Sequence, residues 1–207
     1  MEQSRRNNAA ARADLDKPGA DTVSHLLTLD LSRAESLAAM LAHSRASQVV
    51  ELSDLVAGMY LYDWDRLARY WEQGDHEKVE SLLRTMCRIS PERWNYWIQL
   101  YDKKRRAGEK GLSSLPLLRR FRKEAPPDPP PGHSADLTAI LKIAEGLAPF
   151  RGNSGGRNLP ILTSECVLLC IVRSRRSEIS RRLAASGVKM AELERDALSS
   201  RRARRED

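Results

Sequence analysis

The sequence is poor in cysteine and in aromatic residues, and it contains no long apolar run. Its three cysteines, Cys87, Cys166 and Cys170, are odd in number and irregularly spaced, which argues against the disulfide framework of a small secreted protein. No apolar stretch reaches the roughly 18 residues that a membrane-spanning helix requires. The charged N-terminus is not followed by the apolar core of a signal peptide. We therefore expect a protein of the cytoplasm or of an organelle interior.

Recognisable catalytic motifs are also missing. The sequence contains no HExxH, no Ser/His/Asp or Cys/His motif and no pair of carboxylates in a known catalytic context. The glycine-rich stretch 152–156 lacks the Gly-Lys-Ser/Thr of a phosphate-binding loop and follows no predicted strand, so we expect a flexible loop between helices. Cys166 and Cys170 are spaced like half of a metal site, but without a second Cys/His pair they indicate buried core thiols. We predict a non-enzymatic protein without a metal or cofactor.

The composition and charge indicate a helical protein with basic ends. Leu, Ala, Arg and Glu dominate and β-branched runs are few, which favours an all-α fold. The net charge of +7 permits an anionic partner such as nucleic acid, a membrane surface or an acidic protein. Arginines are frequent in residues 1–23 and 199–207, where acidic residues offset part of their charge, and such sequence without periodicity is typical of disordered tails.

Between the two ends, the pattern predicts two helical segments joined by a proline-rich linker. The first segment, residues 24–107, contains helices predicted from Ser32 to Ala46, from Glu51, from Asp63 to Trp71 and from His76 to Cys87, plus a tryptophan-rich helix from Ser90. The linker, residues 108–134, combines a basic stretch with the polyproline-like sequence PPDPPPGH. The second segment, residues 135–198, begins with a helix that ends before Pro149.

The stretch 162–198 has the clearest pattern. Thr163 or Ser164 can cap a helix in which residues 167–172 are apolar on nearly every face, and this predicts burial. A polar turn, an amphipathic helix, the stop residue Gly187 and a last amphipathic helix follow. Because a similar order follows Glu51, we predict two pseudo-repeated units of about four helices each, packed as one bundle.

These residues resemble a repeat in the N-terminal domain of Clp-type AAA+ ATPases. Ser164, Glu165 and Cys166 occupy the positions of that family's Thr-Glu-His triplet, Leu168–Ile171 those of its Leu-Leu-Gly-Leu helix, and residues 187–188 those of its closing Gly-Val pair. Cysteines replace the family's histidine and its glycine. The chain contains no nucleotide-binding motif of the ATPase module, so the resemblance implies a free-standing domain.

The first segment fits the same pattern less closely. Ser53 and Asp54 stand where Glu165 and Cys166 stand in the second segment, and Gly58 keeps the family's helix glycine. The two copies lie farther apart than the repeat of about 75 residues that the resemblance implies. Removing the linker 108–134 restores that spacing, which supports two copies of one unit.

The resemblance implies a protein-binding function, as an adaptor or accessory subunit of a Clp-type chaperone or protease. In some family members the acid of the triplet helps hold a phosphorylated arginine, so Glu165 and Ser164, with Ser53 and Asp54 in the first copy, are candidate partner-binding residues. A carboxylate at a helix start can accept paired hydrogen bonds from a guanidinium group. Glu165 can equally serve only to complement the helix dipole. Arg173, Arg175 and Arg176, in the turn after this helix, are further partner-binding candidates.

A second hypothesis is a basic helical protein that binds nucleic acid or acts as a regulator. Its candidate residues are Arg173, Arg175 and Arg176 in the turn after the buried helix, Arg181 and Arg182 in the next helix, and the arginine-rich tail. Those arginines would have to form one face and give salt-dependent binding. No recognition helix with base-reading residues is evident, so we place this hypothesis second.

Overall fold

The computed structural model describes residues 25–72, 75–106, 131–154 and 156–199. Within them the chain forms eight α-helices: α1 Leu29–Ser44, α2 Leu52–Leu67, α3 His76–Met86, α4 Pro91–Arg106, α5 Ala135–Leu147, α6 Ser164–Ser174, α7 Glu178–Ala185 and α8 Met190–Leu198. A 3₁₀ turn, Ala68–Tyr70, follows α2. The two predicted tails and most of the predicted linker lie outside the described residues.

The prediction of an all-α fold was wrong, because the described residues also form five short strands. They are β1 Leu26–Leu27, β2 Val49–Val50, β3 Gly132–His133, β4 Phe150–Ser154 and β5 Arg157–Leu162. Two-residue strands contain too few residues for an alternating pattern, so the sequence gives no periodic signal for them. The molecule is mostly helical with two small sheets.

The flexible loop expected around residues 152–156 is instead a β-hairpin. Strands β4 and β5 pair in antiparallel register from Phe150↔Ile161 to Ser154↔Arg157, and Gly156 adopts φ 80° in the turn between them. Glycine suits this turn because it reaches positive φ without steric cost. The glycine-rich composition therefore reflects a tight hairpin turn.

The strands connect the N-terminal half (residues 25–106) to the C-terminal half (residues 131–199). The strand β1, before α1, runs parallel to the end of β5, before α6, with Leu26 opposite Ile161. The strand β2, before α2, runs parallel to β3, before α5, with Val50 opposite His133. In each sheet, a strand before the first helix of one half pairs with a strand before the second helix of the other half.

The core contains residues of both halves, and α6 lies at its centre. Every residue of α6 from Ser164 to Val172 is buried, and Leu168 and Leu169 are 1% and 0% exposed, which confirms the predicted burial. Thr163 caps the helix as predicted, because its Oγ1 accepts a hydrogen bond from the Cys166 amide at 3.1 Å. Gly187, at φ 84°, ends the helical stretch after α7 as predicted.

Two helix boundaries in the N-terminal half differ from the predictions. Helix α1 begins at Leu29, before the predicted cap Ser32, with Thr28 in extended conformation at the N-cap position. Helix α2 is continuous from Leu52 to Leu67. The sequence had instead predicted a break after Met59. Gly58 lies within this continuous helix and packs closely against the backbone of α1 at Ala34.

The tryptophan-rich helix α4 packs onto α2, and its indole groups belong to the core. Trp94 and Trp97 are 0% and 2% exposed, and the ring of Trp94 lies 5.7 Å from that of Tyr60 on α2. This arrangement confirms the predicted core face of α4. No helix in the described ranges has the length and apolar character needed to cross a membrane.

Candidate functional site

The candidate acid Glu165 lies in the first turn of α6, at the junction of the two halves. The N-cap residue Thr163 starts this helix directly after β5, which fixes Glu165 beside the end of α2. Its side chain is 6% exposed, so the carboxylate is nearly removed from water. A buried carboxylate needs charged or hydrogen-bonding partners, because the loss of hydration is otherwise costly.

Those partners are two arginines from the N-terminal half. Nε of Arg66 lies 3.2 Å from one carboxylate oxygen of Glu165, and Nη2 of Arg66 lies 3.4 Å from the other. Nη2 of Arg69, from the 3₁₀ turn, lies 3.6 Å from Glu165 Oε1. The carboxylate of Glu165 therefore binds two guanidinium groups of its own chain.

Each arginine also contacts a second acid, so the ion pairs form a network. Nη1 of Arg66 lies 2.8 Å from Asp30 at the start of α1, and Nη2 of Arg69 lies 2.9 Å from Asp196 on α8. Three carboxylates and two guanidinium groups thus meet at one junction. Because the two arginines are only 26% and 33% exposed, solvent screens this network less than it screens a surface pair.

Tyr70 completes this network on its α8 side. Its hydroxyl donates to Asp196 Oδ2 at 3.0 Å and accepts a hydrogen bond from Arg69. Burial raises the pKa of the Tyr70 hydroxyl above its usual value, the hydrogen bond from Arg69 lowers it, and the charge of Glu165 raises it further. The hydroxyl therefore remains a neutral donor over the physiological range.

The second candidate acid, Asp54, binds a guanidinium group within its own half. Nη1 and Nη2 of Arg45, at the end of α1, lie 2.6 and 2.9 Å from the two carboxylate oxygens of Asp54, which is fully buried. The same carboxylate accepts a hydrogen bond from the Glu51 amide at 2.9 Å and so caps the start of α2. The hydrogen bond to Asp54 raises the pKa of Arg45 above its usual value.

Ser53 and Ser164 are also buried, at the starts of α2 and α6. Ser53 is 4% exposed, and its carbonyl oxygen accepts a hydrogen bond from the thiol of Cys87. Ser164 is 0% exposed, and its hydroxyl has no hydrogen-bond partner in the part of the chain that the structure describes. A ligand that reached either serine would have to open the start of the corresponding helix.

The candidate arginines lie at the other end of α6. Arg173 is paired with Glu194 of α8 at 2.6 Å, and Arg175 forms the C-cap of α6 at φ 47°. Arg175 and Arg176 are exposed, and neither has an ion-pair partner among the described residues. The structure therefore separates these arginines from Glu165 by the length of α6, about 15 Å for its 11 residues.

The sequence interpretation missed four members of the network: Asp30, Arg66, Arg69 and Asp196. Each occupies a polar position on an amphipathic helix or turn, where a solvated face is the ordinary expectation. The pair Arg66–Glu165 is separated by 99 residues in sequence, so no local spacing indicates it. The i, i+3 spacing of Arg66 and Arg69 is compatible with a position on one face of a helix. It is the one signal in the sequence that could have indicated this network.

The three cysteines are free and buried. Burial raises the pKa of the Cys87 thiol to about 12, and a hydrogen bond with Cys170, together with burial, raises that of Cys166. Within the described ranges, no three His, Cys, Asp or Glu side chains are grouped so that they could hold a metal ion. The chemistry available at the junction is ion pairing and hydrogen bonding.

Comparison with protein-family models and with curated proteins found no match to this chain.

Proposed function

We propose that this chain is a non-catalytic protein-interaction module, built from two related helical units and acting as an adaptor or accessory subunit of a Clp-type chaperone or protease. The observation that carries the proposal is the reciprocal pairing of strands between the halves. A strand before the first helix of each half pairs with a strand before the second helix of the other half. Such exchange is what two copies of one unit related by a pseudo-two-fold axis would produce.

Two histidine–glutamate contacts between the halves support the same relation. His25, directly before β1, places Nδ1 at 2.8 Å from Glu145 on α5. His133, in β3, places Nε2 at 3.0 Å from Glu35 on α1. In each case a histidine beside the strand before one half's first helix meets a glutamate on the first helix of the other half.

The helix order gives further support, because α1–α4 and α5–α8 are both runs of four helices. In each half the second helix starts with a buried polar turn, Ser53–Asp54 in α2 and Ser164–Glu165 in α6. Both turns contain a carboxylate that binds arginine. In this proposal Glu165 joins the units to each other, and the partner-binding surface lies outside the junction.

The first test is capture of partners by the tagged full-length chain from its native extract, with nuclease treatment and with low-salt and high-salt washes. The proposal expects recovery of a Clp-type ATPase or protease subunit that resists nuclease, followed by direct binding of that purified subunit. Absence of direct binding to the purified subunit would overturn the proposal. An experimental structure in which residues 26–67 do not superpose on residues 132–174 would remove its basis.

The role of Glu165 is tested with Glu165→Gln and the matched control Glu178→Gln. Both glutamates lie in the first turn of a helix and pair with arginine, but Glu178 is 53% exposed. If Glu165 joins the units, its variant loses stability while the folded protein keeps its affinity for the partner. A tenfold loss of affinity in protein that remains folded would instead place Glu165 in the partner interface.

A second candidate function, binding of nucleic acid, is favoured by one observation. Arg175, Arg176 and Arg181 are exposed and lack ion-pair partners among the described residues, and they lie close together in sequence around the start of α7. Retention of nucleic acid that falls steeply with salt, and that is lost in Arg175→Ala/Arg176→Ala, would support this function. Unchanged retention in that double variant would exclude these arginines as the binding face.

A further inference from the structure

Among the described residues, β4 forms an open edge of the three-stranded sheet. The strand order is β1-β5-β4, so β5 is central and β4 pairs on one side only. The opposite edge strand, β1, has two residues, whereas β4 spans the five residues Phe150–Ser154. An exposed edge strand presents unpaired amide and carbonyl groups to which another chain can pair.

The register defines which groups of β4 face outward. Pro160 has no N–H, so its opposite residue, Arg151, cannot exchange both hydrogen bonds with it, and the pair is of the non-bonded type. On the same strand, the Leu162 carbonyl accepts a hydrogen bond from the Thr28 amide beside β1 at 3.0 Å, so residues of this parity on β5 direct their polar groups away from β4. Because pairs alternate along an antiparallel ladder, Arg151 and Asn153 direct their amides and carbonyls to the open edge.

Of the features that usually protect an edge strand, β4 has a charged side chain, Arg151, but neither a proline nor a bulge. Its pairing with β5 is regular from Phe150 to Ser154. Arg151 and Asn153 are exposed, and their outward groups have no partner among the described residues. Proteins ordinarily protect an edge of this kind with proline, a bulge or a covering element.

The charge of the hairpin selects the kind of strand that can pair with this edge. Arg151 and Arg157 are exposed and have no ion-pair partner in the described part of the chain. No Asp or Glu occurs between Glu145 and Glu165 in the sequence. The hairpin is therefore uniformly basic, and acidic side chains on an added strand would be attracted to it.

We propose that the outer edge of β4 binds an extended acidic segment of a partner protein, which adds a fourth strand to the sheet. Main-chain groups of the segment would pair with the amides and carbonyls of Arg151 and Asn153, and carboxylates on the Arg151 face of the sheet would lie beside that guanidinium group. Arg157 belongs to the opposite face and adds to the positive charge of the hairpin. A second copy of this chain is disfavoured as the occupant, because pairing of two β4 strands would bring two basic hairpins together. This binding mode does not depend on the proposed Clp-related function.

The test uses three labelled ten-residue peptides and the full-length protein. The first alternates Glu with Val or Thr, the second keeps the glutamates but contains prolines, and the third replaces Glu with Lys. We expect the first peptide to bind in fluorescence anisotropy, and the other two to bind at least tenfold more weakly. Equal binding of the proline-containing peptide would mean that charge alone acts, and it would overturn strand addition. Absence of binding by the first peptide would overturn the proposal as well.

A matched pair of variants locates the binding on the edge. Asn153 and Asn158 are opposite each other in a non-bonded pair, so proline at either position removes an amide that does not take part in β4–β5 pairing. Asn153→Pro should weaken binding about fivefold or more by removing one outward donor. Asn158→Pro should change it less than about twofold, since that amide faces away from β4. Equal effects of the two variants would overturn the assignment of the edge.

Hydrogen exchange in the unsubstituted protein provides a measurement that does not depend on folding of the variants. In the free protein the Gly152 and Ser154 amides, which face β5, should exchange slowly, and those of Arg151 and Asn153 should exchange fast. The acidic peptide should slow Arg151 and Asn153 selectively, whereas unchanged exchange there would contradict the proposal. Exchange of the Arg151 and Asn153 amides could also slow without peptide, and slow further as the protein concentration rises. Together with a dimer in sedimentation, that result would identify a second copy of the chain as the occupant instead.

Discussion

Replacement of Gly58 by alanine tests the close contact between α1 and α2. Gly58 lies in the middle of α2, and a Cβ atom there would overlap the carbonyl oxygen of Ala34 on α1 and lie 3.1 Å from the carbonyl carbon of the same residue. The amide nitrogen of Ala38, one turn further along α1, would lie 3.2 Å away. These neighbours are backbone atoms, so they cannot move aside as a flexible side chain can.

Two opposing effects determine the size of the change. Alanine is favoured over glycine in a helix interior by about 1 kcal/mol. An added methyl group that overlaps a packed core typically costs about 1–3 kcal/mol, and sometimes more. Because the overlap involves the backbone of a helix crossing, we place the cost at or above the upper end of this range. The expected net loss in the free energy of unfolding is about 2 kcal/mol or more.

Gly146→Ala is the matched control for this prediction. Gly146 lies near the end of α5, and a Cβ atom there would meet no other atom within 4 Å. Alanine should therefore raise the free energy of unfolding by about 0.5–1 kcal/mol. Urea unfolding followed by far-UV circular dichroism measures both variants, with an unchanged m-value as the sign that the two folded states are comparable. If Gly58→Ala is as stable as the unsubstituted protein, the close crossing of α1 and α2 is not present.

Three further outcomes follow from the core and the junction. Glu165→Gln should lower the free energy of unfolding by about 1–3 kcal/mol, because Arg66 and Arg69 keep one acid each but lose their shared buried partner; Glu178→Gln should lower it by less than about 0.5 kcal/mol. An equal loss in the two would show that Glu165 is not buried. Leu169→Ala should cost about 2–5 kcal/mol in the same assay, and a loss under about 1 kcal/mol would mean that α6 is not central. All three thiols should resist Ellman's reagent at pH 8 until the protein unfolds, because each is buried out of reach of the reagent; burial also raises the pKa of Cys87 to about 12, and rapid labelling of the native protein would contradict the prediction.

The helices of the C-terminal half could be predicted from the sequence because their signals are local. The cap at Thr163, the apolar run in α6 and the stop at Gly187 all act within a few residues of their own position. Leu168 and Leu169 could be assigned to the core for the same reason, because a helix that is apolar on every face has no side to present to water.

The strands and the continuity of α2 could not be predicted in the same way. The strands β1, β2 and β3 have two residues each, and they exist only because residues distant in sequence supply their partners. The break predicted between Met59 and Asp63 does not occur, and the role of Gly58 depends on Ala34 of a different helix. Where a residue's role depends on a partner far away in the chain, propensity and periodicity contain little information about it.

The position of Glu165 illustrates the difference between identifying a residue and identifying its partner. The resemblance indicated an acid at this position that binds a guanidinium group, and the structure places two guanidinium groups there, from Arg66 and Arg69 of the same chain. Groups held within one chain have an effective concentration on the order of millimolar or higher. A ligand with a guanidinium group would have to displace Arg66 and Arg69 from this carboxylate. The chain's own arginines therefore favour a joining role for this acid, and a partner is expected to bind at surfaces such as the edge of β4.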